Sequence, residues 1–283
     1  MNTPDTALTP DGPDHQRSRW RRWGWKVTVA VLVVAALVGA VCVWALHRPA
    51  APSVAAPTPA SSAPATPGAG PYSWDTTDQF GRRLRVPTDP AGHALPQSGP
   101  TSTDTRTTLT TAPRGIEWQR VWNSALPFST SDGPAEIRDG QAFGMARSPQ
   151  GAAIAAMQIW GRWLTGPAEV RDRIAHTQLV GPPAVIGEWA TKLDSFGGFA
   201  AQAFPVPAGI EIDPQYTPDF AQITYASGPW TAKDDPTQQM YYSTTLVLVW
   251  ADDQWKVRVP DTGFSSATTG DKAISSVAGW ATW

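Results

Sequence analysis

The sequence predicts an α+β domain, a cone of helices packed on a curved antiparallel sheet, carried outside a membrane by an N-terminal transmembrane helix and a Pro/Ala-rich stalk. Three observations predict this. Val27 to Leu46 is twenty residues without a charge. Residues 148–166 carry a capped helical pattern that is apolar almost all round. After Gly197-Gly198 the apolar period changes from helical to two, which is the signature of strands half covered by a core.

The chain begins with a polar tail. Residues 1–16 contain three prolines and no periodicity, and with the basic run that follows they read as a disordered cytoplasmic segment, 1–26. The apolar run 27–46 covers about 30 Å at roughly 1.5 Å per residue, enough for one bilayer crossing. Arg17, Arg19, Arg21, Arg22 and Lys26 precede it and Arg48 alone follows closely, so the basic-side bias places the N-terminus in the cytoplasm and everything beyond Arg48 outside. Trp25 and Trp44 stand where indoles settle at the two membrane interfaces. A cleaved signal peptide needs a shorter apolar region, about 7 to 15 residues, so the run is expected to stay as an anchor. Cys42, inside it, reads as an apolar filler. It is the only cysteine, which leaves no disulfide framework and no thiolate metal site.

Residues 47–71 are almost entirely Ala, Pro, Ser and Thr, an extended linker that at about 3.1 Å per residue reaches some 70 Å. Residues 72–113 are poor in apolar side chains and are expected to be irregular, with Phe80, Leu84 and Val86 laid against the domain. The folded part, 114–283, opens with alternating Ile116, Trp118 and Trp122, a strand pattern.

Ser148-Pro149 then supplies an N-cap and a first-turn proline, and Gly166-Pro167 stops the helix. Between them Ala152, Ala156, Ile159 and Trp163 form one apolar stripe, and Ala153, Met157, Trp160 and Leu164 its neighbour. Only Gln150, Gln158 and Arg162 make a narrow polar seam, so the helix is expected to be buried over most of its circumference. A second helix runs to His176, and a third occupies part of 183–196 with Val185, Ile186, Trp189 and Leu193 inward.

Strands follow at 199–204, 209–212 and 219–226, the last with Ala221, Ile223 and Tyr225 on one face. The clearest hairpin is YYSTTLVLVW and QWKVRV about Asp252-Asp253, with Trp255, Val257 and Val259 inward. Ile274, Val277, Trp280 and Trp283 fall at three-residue steps, so the tail is expected to dock as a helical turn or two.

The order of these elements resembles the nuclear transport factor two superfamily. Leu126-Pro127, Gly133-Pro134, the run FGMARSPQGAAIAAMQI from Phe143 to Ile159, and VAGW near the end resemble a family of actinobacterial membrane proteins associated with conjugative and other mobile elements. That resemblance implies a role like that of the single-span assembly factors of type IV secretion systems, which are scaffolds. It implies a homo-oligomer in contact with membrane lipid and other cell-envelope proteins.

Chemistry has little to stand on. A net charge of -2 and a pI near 6.1 leave no basic face for direct nucleic-acid binding once the juxtamembrane arginines are assigned to topology. The four histidines form no metal-binding spacing, no nucleophile elbow occurs, and no cofactor is implied. The alternative to a scaffold is an envelope-facing ligand-binding or hydrolytic domain using the interior of the cone. Its candidate residues are His176, Glu188 and Asp219 for acid-base work, with Tyr225, Tyr242 and Trp250 lining a pocket. Exposed tryptophans such as Trp230 or Trp283 are the candidates for an interaction surface.

Overall fold

The computed structural model describes residues 70–99, 109–195, 204–232, 235–262 and 272–283. The chain divides into two units, Met1–Ala63 and Pro64–Trp283, and every described residue belongs to the second. The expected transmembrane helix, its flanks from Arg17 to Trp44 and most of the linker lie outside the described residues. Among the described residues no helix is long and apolar enough to cross a membrane.

The second unit is α+β, with mixed sheets. Its organising element is α1, Pro149–Thr165. Ser148 caps it: the backbone is extended there and the hydroxyl accepts from the Gly151 N–H at 3.0 Å. At the other end the Gly166 N–H bonds the Arg162 carbonyl before Pro167 ends the helix. All seventeen residues are buried, the polar seam included.

Two sheets make this possible. On one side β1 (Tyr72–Thr77), β2 (Arg83–Pro87), β3 (Glu117–Val121) and β4 (Ser124–Phe128) form a four-stranded sheet whose β4 lies on α1. Gly161 permits the close approach, since a Cβ there would meet Leu126 Cδ2 at 2.6 Å. The hairpin β5 (Glu136–Arg138) and β6 (Gln141–Phe143) follows. The other side is a six-stranded sheet in the order β7-β11-β10-β9-β8, with β12 also on β10: β7 (Leu179–Val180), β8 (Gly209–Ile212), β9 (Phe220–Thr231), β10 (Gln239–Ala251), β11 (Gln254–Arg258) and β12 (Lys272–Ile274). Helices α2 (Ala168–Thr177) and α3 (Pro183–Ser195) connect the two sides. Asp252 and Asp253 both have positive φ, 51° and 56°, and turn β10 into β11 as a two-residue hairpin loop, as the sequence predicts.

The seam of α1 holds β4, the loops beside the first sheet and the turn of the β5–β6 hairpin. Gln150 donates to the Thr111 carbonyl at 3.1 Å and Gln158 to the Pro127 carbonyl at 2.7 Å. Arg162 donates to Gln158 at 2.7 Å, and through Nη1 to the carbonyls of Ala91 and Gly140, both at 2.8 Å. Burial pulls its pKa down to about 9, so at neutral pH the helix carries a charge whose desolvation is offset by these bonds.

Several expectations are corrected. Residues 72–113 are not irregular throughout: β1 and β2 form there, held by polar contacts instead of an apolar stripe. Tyr72 donates to Glu117, Arg85 donates to Glu117 at 2.7 Å, and the Arg85 guanidinium lies 3.3 Å from the centroid of the Tyr72 ring. Strands therefore precede the helices, and both large sheets are mixed, β2 running parallel to β3 and β7 to β11. In α3 only Leu193 is fully buried, with Val185, Ile186 and Trp189 half-buried against the core. The tail is no helix: β12 pairs with β10 and Ala281 bridges to Ile210, because an open sheet edge offered it backbone partners. Trp283 is 6% exposed and lies in the core. Of the strand expected at 199–204 only Phe204 is described; it bridges to Ser124.

Two outcomes follow from the buried polar groups. Arg162→Ala strands three acceptors and opens a hole, and it should lower the urea unfolding free energy by about 3 to 5 kcal/mol. Tyr216, also in the core, has its pKa raised by burial to about 12. The folded protein keeps that proton to higher pH than the unfolded chain, so its contribution to stability is intact below pH 10 and lost as pH rises toward 12. Tyr216→Phe should flatten the fall of the denaturation midpoint over that window.

Candidate interaction surface

The two longest strands outrun the helix that covers them. Residues directly opposite one another on neighbouring strands share a face. Along β10 and β9, Leu248 and Ala221, then Leu246 and Ile223, lie under α1 and are buried. The same face continues to Thr244 and Tyr225, then Tyr242 and Ser227. Cover is lost on the way: Leu246 is 1% exposed and Tyr242 48%.

A β-bulge brings a second aromatic ring to this uncovered face. Tyr242 pairs with Ser227, but Met240 pairs with Trp230, so three steps on β9 match two on β10. Without the extra residue Trp230 would sit on the opposite face. With it, the indole joins Tyr242 at 6.3 Å between ring centroids, tilted by 60°, and is 49% exposed. Gly228 is required here. Its φ is +126°, and a Cβ would stand 3.0 Å from both the Met240 carbonyl oxygen and Cδ1 of Trp230.

The first sheet contributes to the same place. Gln79, in the turn between β1 and β2, donates to the Gly228 carbonyl at 2.8 Å, and its neighbour Phe80 is 42% exposed. Arg82 fixes that turn: it pairs with Asp78 at 2.7 Å, donates to the carbonyls of Trp283 at 2.6 Å and Pro207 at 3.0 Å, and lies 4.7 Å from the Phe80 ring centroid. Trp230 and Tyr242 thus form an exposed aromatic ridge, and the β1–β2 turn that carries Phe80 is tied to its bulge through Gln79. Its rim is polar. Gln79, Thr231, Gln238 and Gln239 are exposed, and Asp235, whose carboxyl is held below the usual range by the Thr237 hydroxyl and N–H, stands beside them.

The structure scatters the residues proposed for acid-base chemistry. His176 is exposed in the last turn of α2, its Nδ1 2.8 Å from the Asp172 carbonyl. Glu188 is exposed on α3. Asp219 is exposed before β9 and paired with Arg147. Tyr225 and Trp250 are half-buried against the core, and Tyr242 belongs to the ridge. The reason is topological: an acid at the start of β9 and a tyrosine six residues on are separated by about 20 Å of strand. A groove of about 560 Å³ does exist, lined by Trp122, Asn123, Gly166, Pro167 and Arg171, and none of those candidates reaches it. Among the described residues no three His, Cys, Asp or Glu gather as metal ligands.

Trp230 was among the candidates for a contact surface and is indeed exposed; Trp283 is not. Phe80 and the pairing with Tyr242 escape a reading of periodicity alone. The signal that finds them is Gly228-Pro229 inside an otherwise strand-like run, since that pair marks a bulge.

A family model matches residues 85–282, and it describes a domain of unknown function, DUF8175. No curated protein and no solved structure matches the chain.

Gly228→Ala should strain the backbone and push the Trp230 indole off its seat. The expected cost is about 1 to 3 kcal/mol in stability, together with a shift of the Trp230 indole N–H resonance identified by its loss in Trp230→Phe.

Proposed function

The chain belongs to the DUF8175 family, and from that premise we propose that it is a non-enzymatic, membrane-anchored scaffold of a cell-envelope machine that holds a partner on the aromatic ridge. The observation that carries this reading is the ridge itself. Large rings are costly to leave in water, and two of them paired and half exposed at one place on a well-packed domain mark a contact surface. The sequence supplies the rest: an uncharged run of twenty residues at 27–46 to span the membrane once, with the N-terminus in the cytoplasm, and a Pro/Ala-rich linker to hold the domain outside.

The fold assignment is part of the same proposal. A long helix laid on a largely antiparallel sheet, with two further helices closing one side, is what a nuclear-transport-factor-two-like cone presents. The machine is a conjugative, type IV secretion-like DNA transfer apparatus, in which the chain works as an oligomer beside other membrane proteins. This supports a role in positioning partners and asks for no chemistry.

Protease added to intact spheroplasts should cut the linker and release a resistant fragment of roughly the size of 64–283, which is digested only after the domain is unfolded. Deleting 27–46 should move the protein out of the membrane fraction. Protection of the full chain from external protease, with the anchor intact, would reverse the topology and end this reading.

A further inference from the structure

We propose that β1 is a releasable end of the tether: a strand latched to the domain through Tyr72, which peels from β2 while the two-sheet core stays folded. On release its length joins the chain before it. The inference rests on the scaffold reading for the use of a tether, but its test does not.

The first observation is how little of β1 reaches the core. It is the end strand of its sheet among the described residues, and none of its six side chains is buried. Tyr72 and Thr76 are half-buried and the rest exposed, Trp74 by 67%. The neighbouring strand differs: Leu84 of β2 is 6% exposed and packs in the main apolar core. Taking β1 off the sheet therefore bares little apolar surface, whereas taking β2 off unpacks the interior. β1 also lies outside the residues, 85–282, that match the family.

The second is the latch. Apart from its ladder to β2, the strand is held chiefly at its first residue. The Tyr72 hydroxyl donates to Glu117 and accepts from Gln119 Nε2 at 3.1 Å. Its ring carries the Arg85 guanidinium 3.3 Å from the centroid and meets His93 edge-on at 5.7 Å. Glu117 in turn accepts from Arg85 at 2.7 Å and from Gln119 at 2.9 Å. Burial, and after it the Glu117 bond, raises the pKa of the phenol, so the hydroxyl stays a donor. The other tie is Asp75, which pairs with Arg83 and Arg85 of β2 from an exposed position. Such a pair adds little in water.

The third is the geometry of a load. Tyr72 lies opposite Pro87, the Thr88 N–H donates to the Pro71 carbonyl at 2.9 Å, and the Thr88 hydroxyl donates to the Gly70 carbonyl at 3.2 Å. The chain thus enters β1 and leaves β2 at the same end of the hairpin. A pull on the residues before Gly70 parts the pairs one after another from Tyr72 onward, instead of shearing them together. The ladder is already interrupted beside the latch, where two steps on β1 match one on β2 between Tyr72 and Trp74. Peeling stops at the turn, because Arg82 is bonded to the Trp283 and Pro207 carbonyls and Gln79 to that of Gly228. Residues 70–77, once freed and extended, span about 26 Å.

The test is hydrogen exchange read by mass spectrometry on the full chain in detergent micelles, with and without sub-denaturing urea. Peptides of β1 should exchange about a hundredfold or more faster than those of β9 and β10, at a rate that urea leaves unchanged, because the opening exposes little surface. Tyr72→Phe keeps the ring and removes the hydroxyl. It should speed exchange in β1 about tenfold, with β9, β10 and the thermal unfolding midpoint unmoved. Glu117→Gln removes the charge on which Tyr72, Arg85 and Gln119 converge and should speed it further, still within 70–87. Exchange of β1 at the rate of β9 and β10, with the same urea dependence, would overturn the proposal. So would variants that leave β1 unchanged or that speed both sheets alike. Those outcomes leave the scaffold reading standing, whereas a reversed topology ends that reading and leaves the releasable strand.

Discussion

A helix buried on every side is the constraint to which this domain is built. An ordinary amphipathic helix needs one partner surface, but α1 has no face that tolerates water, and even its polar side chains, Gln150, Gln158, Arg162 and Thr165, are buried. One sheet cannot satisfy it. The four-stranded sheet closes one side and the six-stranded sheet the other, and Gly161 lets Leu126 of the first come near enough to the helix to seal the gap. The polar seam becomes the means of attachment. Arg162 holds carbonyls of two loops, at Ala91 and Gly140, and Gln158 one of β4, so segments with few apolar residues are fastened to the core by hydrogen bonds to a buried cation and a buried amide.

The ridge is a by-product of that arrangement. A helix of seventeen residues is about 25 Å long, and it lies across β9 and β10, which continue past it. Where cover ends, the inner face of the sheet would normally turn polar. Here it carries Tyr242, and a one-residue bulge rotates Trp230 onto the same side. Two local features, a strand overhang and a bulge, thus place large rings in water without loosening the core beneath them.

How much of this was legible in the sequence follows from the range of the interactions involved. α1 could be read to the residue at both ends because its cap, its first-turn proline and its terminal glycine are local signals. The β10 to β11 hairpin was legible for the same reason, two aspartates between alternating apolar runs. What escaped was set by distant partners. β1 and β2 have almost no apolar alternation and exist because Glu117, forty-five residues from Tyr72, accepts its hydroxyl. The tail looked helical by its three-residue spacing, yet Ala281 found the free edge at Ile210. The pocket residues proposed for the cone are individually plausible, but His176, Glu188 and Asp219 sit on surfaces of three different elements, a fact that spacing along a chain does not encode. The aromatic ridge was half legible: Trp230 by its type, its companion Tyr242 only by register.

Trp283 ties together parts of the domain that are distant in sequence. The Trp283 carbonyl accepts from Trp118 Nε1 at 3.1 Å and from Arg82 at 2.6 Å, and its side chain is packed in the core. These ties join positions two hundred and one and one hundred and sixty-five apart in the chain. Such contact order makes folding slow and late. Closure around α1 therefore waits on segments that lie far apart in sequence, and until Trp283 is in place the Trp118 indole N–H and the Arg82 guanidinium each lack one of their native acceptors.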